Sequence, residues 1–275
     1  MILVTGATGR VGRELTRELD SAGAGYRALV RDPARAGTMP ALVGDLDKPL
    51  VLDGIEKLFL LTPGIGTSQC ANAIDAAQRA GVKHIVLLSS YAVLGDPVPA
   101  MGRWHHEREE MIRASGIPAT FLRAGGFMTN VLEWVPTIRS GGYVLDPTGP
   151  GRLAPIDPAD VGAVACQVLM SPGHEGNSYT LTGAEAFTLA EQVRVIAAAT
   201  GLSIEVRVPA SPAEAIRSRY AGQVPQALAD AMTEAFALVR ADTVGVRTDT
   251  VIQLLGRPPR SFADWCARHA SAFTG

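Results

Sequence analysis

Three glycines, Gly6, Gly9 and Gly12, stand three residues apart directly after the apolar run Ile2–Val4. That spacing lets a chain turn sharply and bring main-chain N–H groups against a flat, charged group. Gly6 would permit the turn, Gly9 the approach of a pyrophosphate, and Gly12 the close packing of the next helix on the strand. A second apolar run ends Leu29–Val30–Arg31–Asp32. An acidic residue closing that run would hold a ribose 2′-hydroxyl and select NAD. Arg31 takes the position instead, and Arg10 projects from the glycine loop nearby. Guanidinium groups suit a 2′-phosphate, and one charged hydrogen bond of about 1.5–3 kcal/mol is worth one to two decades of preference. Asp32, one residue further on, competes with that preference. The pattern predicts NADPH as cofactor. Asp45, closing a third run, is placed to accept from the adenine amino group with Leu46 beside it, although a turn aspartate would look the same. Leu61, Thr62 and Pro63, closing a fourth, would pass the ribose.

The reaction such a cofactor serves depends on where a proton comes from. A tyrosine with a lysine four residues on is a common donor pair in hydride-transfer enzymes. Four places after Tyr26, Tyr91, Tyr143, Tyr179 and Tyr220 stand Val30, Gly95, Pro147, Gly183 and Val224, so the pair is missing. Hydride addition to a simple ketone develops an alkoxide comparable to hydroxide, with a pKa of ~15.7, whereas a quinone develops a phenolate nearer ~10. The roughly six units amount to about 8 kcal/mol, so a site with no strong acid suits a quinone, an activated enone or a cationic dye. Tyr91 is a candidate donor to a developing oxyanion, and packing at a sheet end accounts for it equally. His105 is the candidate for a modest polar or proton-relaying role. It shares a helix with Met101, Trp104, Arg108, Met111 and Ile112, so a hydrogen-bonded core histidine is the competing reading. Phe127, Met128, Trp134 and Tyr143 form either an apolar wall for an aromatic substrate or ordinary core. No His/Cys cluster has metal spacing, and no Gly-x-Ser-x-Gly elbow occurs.

Elements must position these residues. Apolar runs at Ile2–Val4, Tyr26–Val30, Ala41–Val43, Leu58–Leu61, His84–Leu88 and Ala119–Leu122 alternate with helical stretches near 11–22, 68–80 and 101–115. Strands apolar at nearly every position are buried on both faces, which predicts an α/β, doubly wound parallel sheet of Rossmann type. After residue 125 the pattern turns mostly helical, with isolated strands at Ser178–Leu181 and Ile204–Val208. Helices are expected over 160–170, 189–200, 213–220, 226–239, 248–255 and 262–273. The division expected is a dinucleotide-binding domain over 1–125, with 155–180 packing on it, and a smaller substrate lobe over 126–275. The 275 residues carry 25 basic and 27 acidic side chains, a net charge of −2 with no basic stripe, which argues against nucleic acid as a partner. No apolar run is long enough for a membrane span and no secretory leader is expected. Three scattered cysteines read as free thiols of a reducing compartment. The expectation is a cytoplasmic monomer or homodimer acting on a small aromatic or conjugated molecule.

The stretches TGATGRVG, LVRDP, GDL, KHIVLLSS, EEMIRASGIPATFLRAGGFMTN and IDPADVGAVA together resemble the atypical short-chain dehydrogenases of the NmrA-like group, nearest to NADPH-dependent quinone reductases and triphenylmethane-dye reductases. The resemblance spans roughly residues 1–180 well and the remainder loosely. It implies that Gly6, Thr8, Gly9, Arg10, Val11 and Gly12 hold the pyrophosphate, that Arg31 meets the 2′-phosphate, and that Asp45 and Leu46 flank adenine. It also implies that Ser89, Ser90 and Tyr91 lie beside the nicotinamide, that His105 stands where relatives carry lysine or histidine, and that Arg123, Gly125 and Phe127 line the nicotinamide site. Ala124 replaces a proline common in relatives, and Thr129 an acidic residue. The group includes members that bind the dinucleotide and regulate without catalysis, so a redox-sensing regulator acting through a protein partner is the alternative to a reductase.

Overall fold

The computed structural model describes residues 1–220 and 224–275. Seven parallel strands form its main sheet, in the order β3-β2-β1-β4-β5-β6-β8. They are β1 (Ile2–Val4), β2 (Tyr26–Val30), β3 (Ala41–Val43), β4 (Lys57–Leu60), β5 (His84–Ser90), β6 (Ala119–Ala124) and β8 (Ser178–Leu181), with β7 (Tyr143–Leu145) lying outside this sheet. Alternation along each strand sends side chains into two cores. Ile2, Val4, Val86 and Leu122 face one layer, and Leu3, Ile85, Leu87 and Phe121 the other. Helices α1 (Arg10–Ser21), α2 (Ser68–Ala80), α3 (Ala100–Ala114), α4 (Val135–Gly141) and α5 (Pro158–Met170) follow in chain order. The first layer is closed by Val11, Leu15 and Leu19 of α1 and Val161, Val164 and Val168 of α5; the second by Cys70, Ala73 and Ala77 of α2 and Ile112 of α3. The doubly wound parallel sheet predicted from the strand pattern is the fold observed.

Two features arise from tertiary context. The strand β8, isolated in sequence, pairs with β6 in register Phe121↔Ser178 to Ala124↔Leu181 and becomes the edge of the sheet. The helix α5 crosses α1 so closely that a Cβ at Gly162 would stand 2.7 Å from Glu14 Cβ and 2.8 Å from the Leu15 nitrogen.

The remaining elements are α6 (Leu189–Thr200), β9 (Glu205–Arg207), α7 (Pro212–Tyr220), α8 (Gln226–Arg240), α9 (Thr250–Leu255), α10 (Phe262–Arg268) and α11 (Ser271–Thr274). The strand β9 pairs with β7 as a separate two-stranded sheet. The helix α4 went unrecognised in the sequence because Pro136 and Gly141–Gly142 read as loop; proline in a first turn costs no helical hydrogen bond. The helix expected over 262–273 breaks at its middle. His269 stacks on Trp265 with ring centroids 4.2 Å apart, and its Nδ1 lies 2.8 Å from the Trp265 carbonyl oxygen, ending α10 there. Among the described residues no helix is long and apolar enough to cross a membrane.

Candidate functional site

At the carboxyl ends of β1 to β4, where the strand order reverses, a groove of about 560 Å³ opens, the place an open α/β sheet offers a ligand. Gly6, Thr8, Gly9, Arg31, Asp45, Leu46, Leu61 and Pro63 line it, as the sequence predicts. Thr5 and Gln69 line it too and were not foreseen. Thr5 holds the groove's floor together: its hydroxyl donates to the Leu61 carbonyl at 3.0 Å and accepts from the Leu61 N–H at 2.7 Å, tying the end of β1 to the end of β4.

The glycines act by different means. Gly6 has a positive φ of 63° and so makes the turn. Gly9 caps α1 with φ −85° and ψ −176°, a backbone any residue adopts, so glycine is needed there for space; a Cβ would stand 3.1 Å from the Gly6 carbonyl oxygen. Gly12 was expected to let α1 pack on the strand. Its Cβ would instead collide with the loop itself, 2.1 Å from the Gly6 oxygen and 2.7 Å from Ala7 Cα, so its absence keeps the loop folded onto the helix. Val11 is buried and packs into the core rather than lining the groove.

Beyond β2, Asp32 lines the groove beside Arg31 and also serves a turn. Asp32 caps the 3₁₀ segment Pro33–Ala36, accepting from the Ala34 N–H at 3.0 Å. The same turn places Arg35 on the wall with Arg31. Asp followed by Pro, a cap with proline in the first turn, is a signal in the sequence that predicts this turn. Asp45 Oδ1 accepts from the Asp47 N–H at 3.1 Å, so the turn role and the groove role coincide in one residue.

The residues closing β5 and β6 divide by strand parity. Ser89 and Arg123 pair in register and continue the Leu87 and Phe121 face, toward α3. There they meet Glu109, a fully buried carboxylate. Ser89 Oγ donates to it at 2.7 Å, Arg123 Nε and Nη2 at 3.0 and 2.6 Å, and Arg113 Nη2 at 2.8 Å. Burial pushes the Glu109 carboxyl up, but the hydrogen bonds from Arg123 and Ser89 and the Arg123 charge outweigh it, so its pKa falls below the ordinary carboxylate value. The Ser89 and Arg123 side chains, expected against the cofactor, are thus engaged with Glu109. Glu109 itself was missed, although it lies one turn from His105 and three residues before the core residue Ile112. Ser90 Oγ accepts from the Ala92 N–H at 3.2 Å and caps the turn that carries Tyr91. The Gly125 N–H donates to the Leu181 carbonyl at 2.9 Å, and Thr62 is buried.

On α3, His105 falls on the buried side with Gly102 and Arg108, while His106 is exposed. Arg108 Nη2 donates to the Gly64 and Gly66 carbonyls at 2.5 and 3.0 Å, clamping the loop after β4. Burial, joined by the Arg108 charge, lowers the His105 pKa to about 4. Its imidazole is therefore neutral near pH 7, with a buried Nδ1 that has no hydrogen-bond partner among the described residues. Burial pushes the Tyr91 phenol up to about 12. Both are hydrogen-bonding groups at neutral pH; neither is a strong acid. The modest polar or proton-relaying role expected of His105 would thus be exercised from the neutral imidazole.

The family model describing the NmrA-like family matches residues 1–254. The chain belongs to the NmrA-like family. Among NmrA-like relatives it is 38% identical to the "NAD(P)H azoreductase" of Xenophilus azovorans, over 99% of each chain. It is 39% identical, again over 99% of each, to a "(4-alkanoyl-5-oxo-2,5-dihydrofuran-3-yl)methyl phosphate reductase" of Streptomyces griseus. An NADPH-dependent quinone oxidoreductase of Escherichia coli, solved as a complex with NADPH, superposes with a TM-score of 0.85 at 28% identity, covering 98% of this chain and 99% of that one.

The groove of this NmrA-like chain fits a phosphate-bearing dinucleotide on its own terms. The glycine loop leaves main chain bare at the start of α1, whose first turn carries no acidic residue, and two guanidinium groups share the far wall. A second cavity, about 160 Å³, begins at Gly126 and Phe127 and is walled by Trp134, Phe187 and Phe236. Of the proposed aromatic wall, Phe127 and Trp134 line it, whereas Met128 is core, and Tyr143 carries the Arg207 guanidinium 4.3 Å above its ring. Arg10 follows the groove residue Gly9 without lining the groove itself; its Nη1 donates to Asn130 Oδ1 at 3.1 Å, and Asn130 lines the second cavity.

Proposed function

We propose that this chain is an NADPH-dependent reductase of conjugated acceptors, quinones and dyes first among them and activated enones with them. The observation that carries the reading is the pairing of an arginine-walled dinucleotide groove with an aromatic cavity across the Arg10–Asn130 hydrogen bond. When bound, the reduced dinucleotide supplies the hydride. The chain's own residues bind and orient. The loop Gly6–Gly9 and the first N–H groups of α1 take the pyrophosphate, with Thr8 and Arg10 beside it. Arg31 and Arg35 take the 2′-phosphate, and Asp45 and Leu46 the adenine. Tyr91, His105 and the loop Gly125–Phe127 form the acceptor side. Tyr91, with its pKa raised to about 12, keeps its proton and donates a hydrogen bond to a developing oxyanion. That suffices for a phenolate-like product and falls short for an alkoxide.

The division of labour we assign gives the dinucleotide to residues 1–125, with 155–180 against them, and the acceptor chiefly to 126–275. The three buried free thiols, Cys70, Cys166 and Cys266, suit a reducing cytoplasm. The test is NADPH oxidation by the purified protein against quinones, azo and triphenylmethane dyes and enones, with NADH in parallel. Turnover faster with NADPH than with NADH is expected. A preparation that binds NADPH yet turns over none of these acceptors would overturn the reading in favour of a dinucleotide sensor.

A further inference from the structure

Arg219, near the end of α7, lies in the aromatic cavity. Its guanidinium carbon is 5.0 Å from the Phe236 ring centroid and 5.8 Å from that of Trp134. Among the described residues no carboxylate comes within 4 Å of it and no acceptor takes a hydrogen bond from it. The acidic groups that bear on it, Glu133 and Asp146, are used elsewhere. Glu133 also bears on the Tyr220 phenol, whose pKa burial and this charge together raise to about 12. Asp146 Oδ1 accepts from the Thr148 N–H and hydroxyl, both at 2.7 Å, and from the Gly149 N–H at 3.0 Å. A half-buried cation beside two aromatic rings, with carboxylates acting on it only from beyond ion-pair distance, is costly to leave without a direct acceptor. Burial lowers the Arg219 pKa against the pull of those neighbours.

A second observation falls in the same cavity. Trp134, 6% exposed, lines it, and its buried indole Nε1–H has no acceptor among the described residues. The cation on the wall calls for an acceptor that carries negative charge, and the indole N–H of the neighbouring Trp134, closed to solvent, for a hydrogen-bond acceptor of any charge. Asn130, Thr148 and Gln192 are the other polar side chains on the wall, and none of them carries a charge; the remainder is glycine, apolar or aromatic. The cavity of about 160 Å³ matches the roughly 150 Å³ that holds one benzene ring.

We propose that the acceptor reduced by this chain carries an anionic group on its conjugated ring, a carboxylate, sulfonate or phosphate monoester, and that Arg219 with the Trp134 indole N–H receives it. This rests on the reductase reading and narrows its substrate class. Neither residue follows from the glycine loop or from the chemistry at Tyr91 and His105. Both act on affinity and orientation rather than on the transferred hydride.

The experiment uses an isosteric pair, 4-phenylazobenzoate and 4-phenylazobenzamide, as acceptors with NADPH. It also uses calorimetric binding of benzoate and benzamide to the NADP⁺-saturated protein. The wild-type chain is expected to favour the carboxylate in kcat/KM by about tenfold or more, through KM, as one charged hydrogen bond allows. In Arg219→Gln that ratio falls to near one, Arg219→Lys keeps part of it, and Trp134→Phe lowers it several-fold. Thermal melting confirms that each variant is folded; should Arg219→Gln not fold, the other two decide. Turnover of both acceptors at equal kcat/KM in the wild type overturns the anion site and leaves the reductase standing. Arg219-dependent binding of benzoate over benzamide without turnover of either keeps the anion site and overturns the reductase. Neither turnover nor preferential benzoate binding overturns both.

Discussion

In the proposed reading, the cofactor preference of this groove is set at the scale of single side chains, Arg31 first. Arg31 shares its wall with Arg35 and with Asp32, one oxygen of which caps the Pro33–Ala36 turn. Arg31→Ala is expected to weaken NADPH binding by one to two decades, the worth of one charged hydrogen bond, and NADH binding far less. Fluorescence titration with both cofactors measures this, and an equal loss for both would remove the assignment. His105 sets a second expectation at this scale. Its folded pKa of about 4 lies below the ~6.5 of an exposed histidine. As pH falls, the unfolded chain takes the proton first. The stability that neutral His105 contributes is thus whole above ~6.5 and lost as pH drops toward 4. Its charge does not change in the neutral range, so His105→Ala should lower kcat while leaving NADPH affinity and the shape of the kcat profile between about pH 5.5 and 8 as they were. A limb near pH 6.5 that vanishes in the variant would show an imidazolium acid at work.

Between elements, the carboxylate of Glu109 does what apolar contact does elsewhere. It ties α3 to the ends of β5 and β6 through Ser89, Arg123 and Arg113. Glu109→Gln leaves the Arg123 guanidinium, 17% exposed, without its partner. Breaking such a pair from one side costs about 3 kcal/mol, the low end of the buried range. Urea unfolding reads this directly. The Glu109 pKa is lowered by folding, so the unfolded chain binds the proton more readily. The stabilisation is complete above the unfolded value of ~4.3 and is lost as pH falls through the folded one. The variant should therefore lose stability at neutral pH and show a shallower acid limb; a variant as stable as the wild type at pH 7 would make the cluster ornamental.

Across the molecule, the segment after α9 is fastened back to the sheet domain at one buried point. Asp160, fully buried in the first turn of α5, accepts from Arg257 Nη1 at 2.8 Å, Arg260 Nη1 at 2.7 Å and the Arg260 N–H at 2.6 Å. Asp157, capping the same helix, accepts from Arg268 Nη2 at 2.7 Å. Asp160→Asn should destabilise the chain by about 2 kcal/mol, discounted because both arginines are a third or more exposed. Limited proteolysis should then cut residues 256–275 sooner than in the wild type. An unchanged digestion pattern would mean that apolar packing of α10 on α6 holds the segment unaided.

The sequence by itself determined the parallel sheet, the glycine loop, the arginine at the end of β2 and the missing tyrosine–lysine pair. Those depend on local spacing: strand runs, turns and helix starts are written over a few consecutive residues. The tertiary structure alone decided that β8 closes the sheet and that Ser89 and Arg123 turn to Glu109. It also decided that Arg35 joins Arg31 and that Arg219 and Trp134 meet in one cavity. Those pairings join residues up to 85 positions apart in the chain. They follow from strand parity, helix face and the packing of whole layers, which no local window contains.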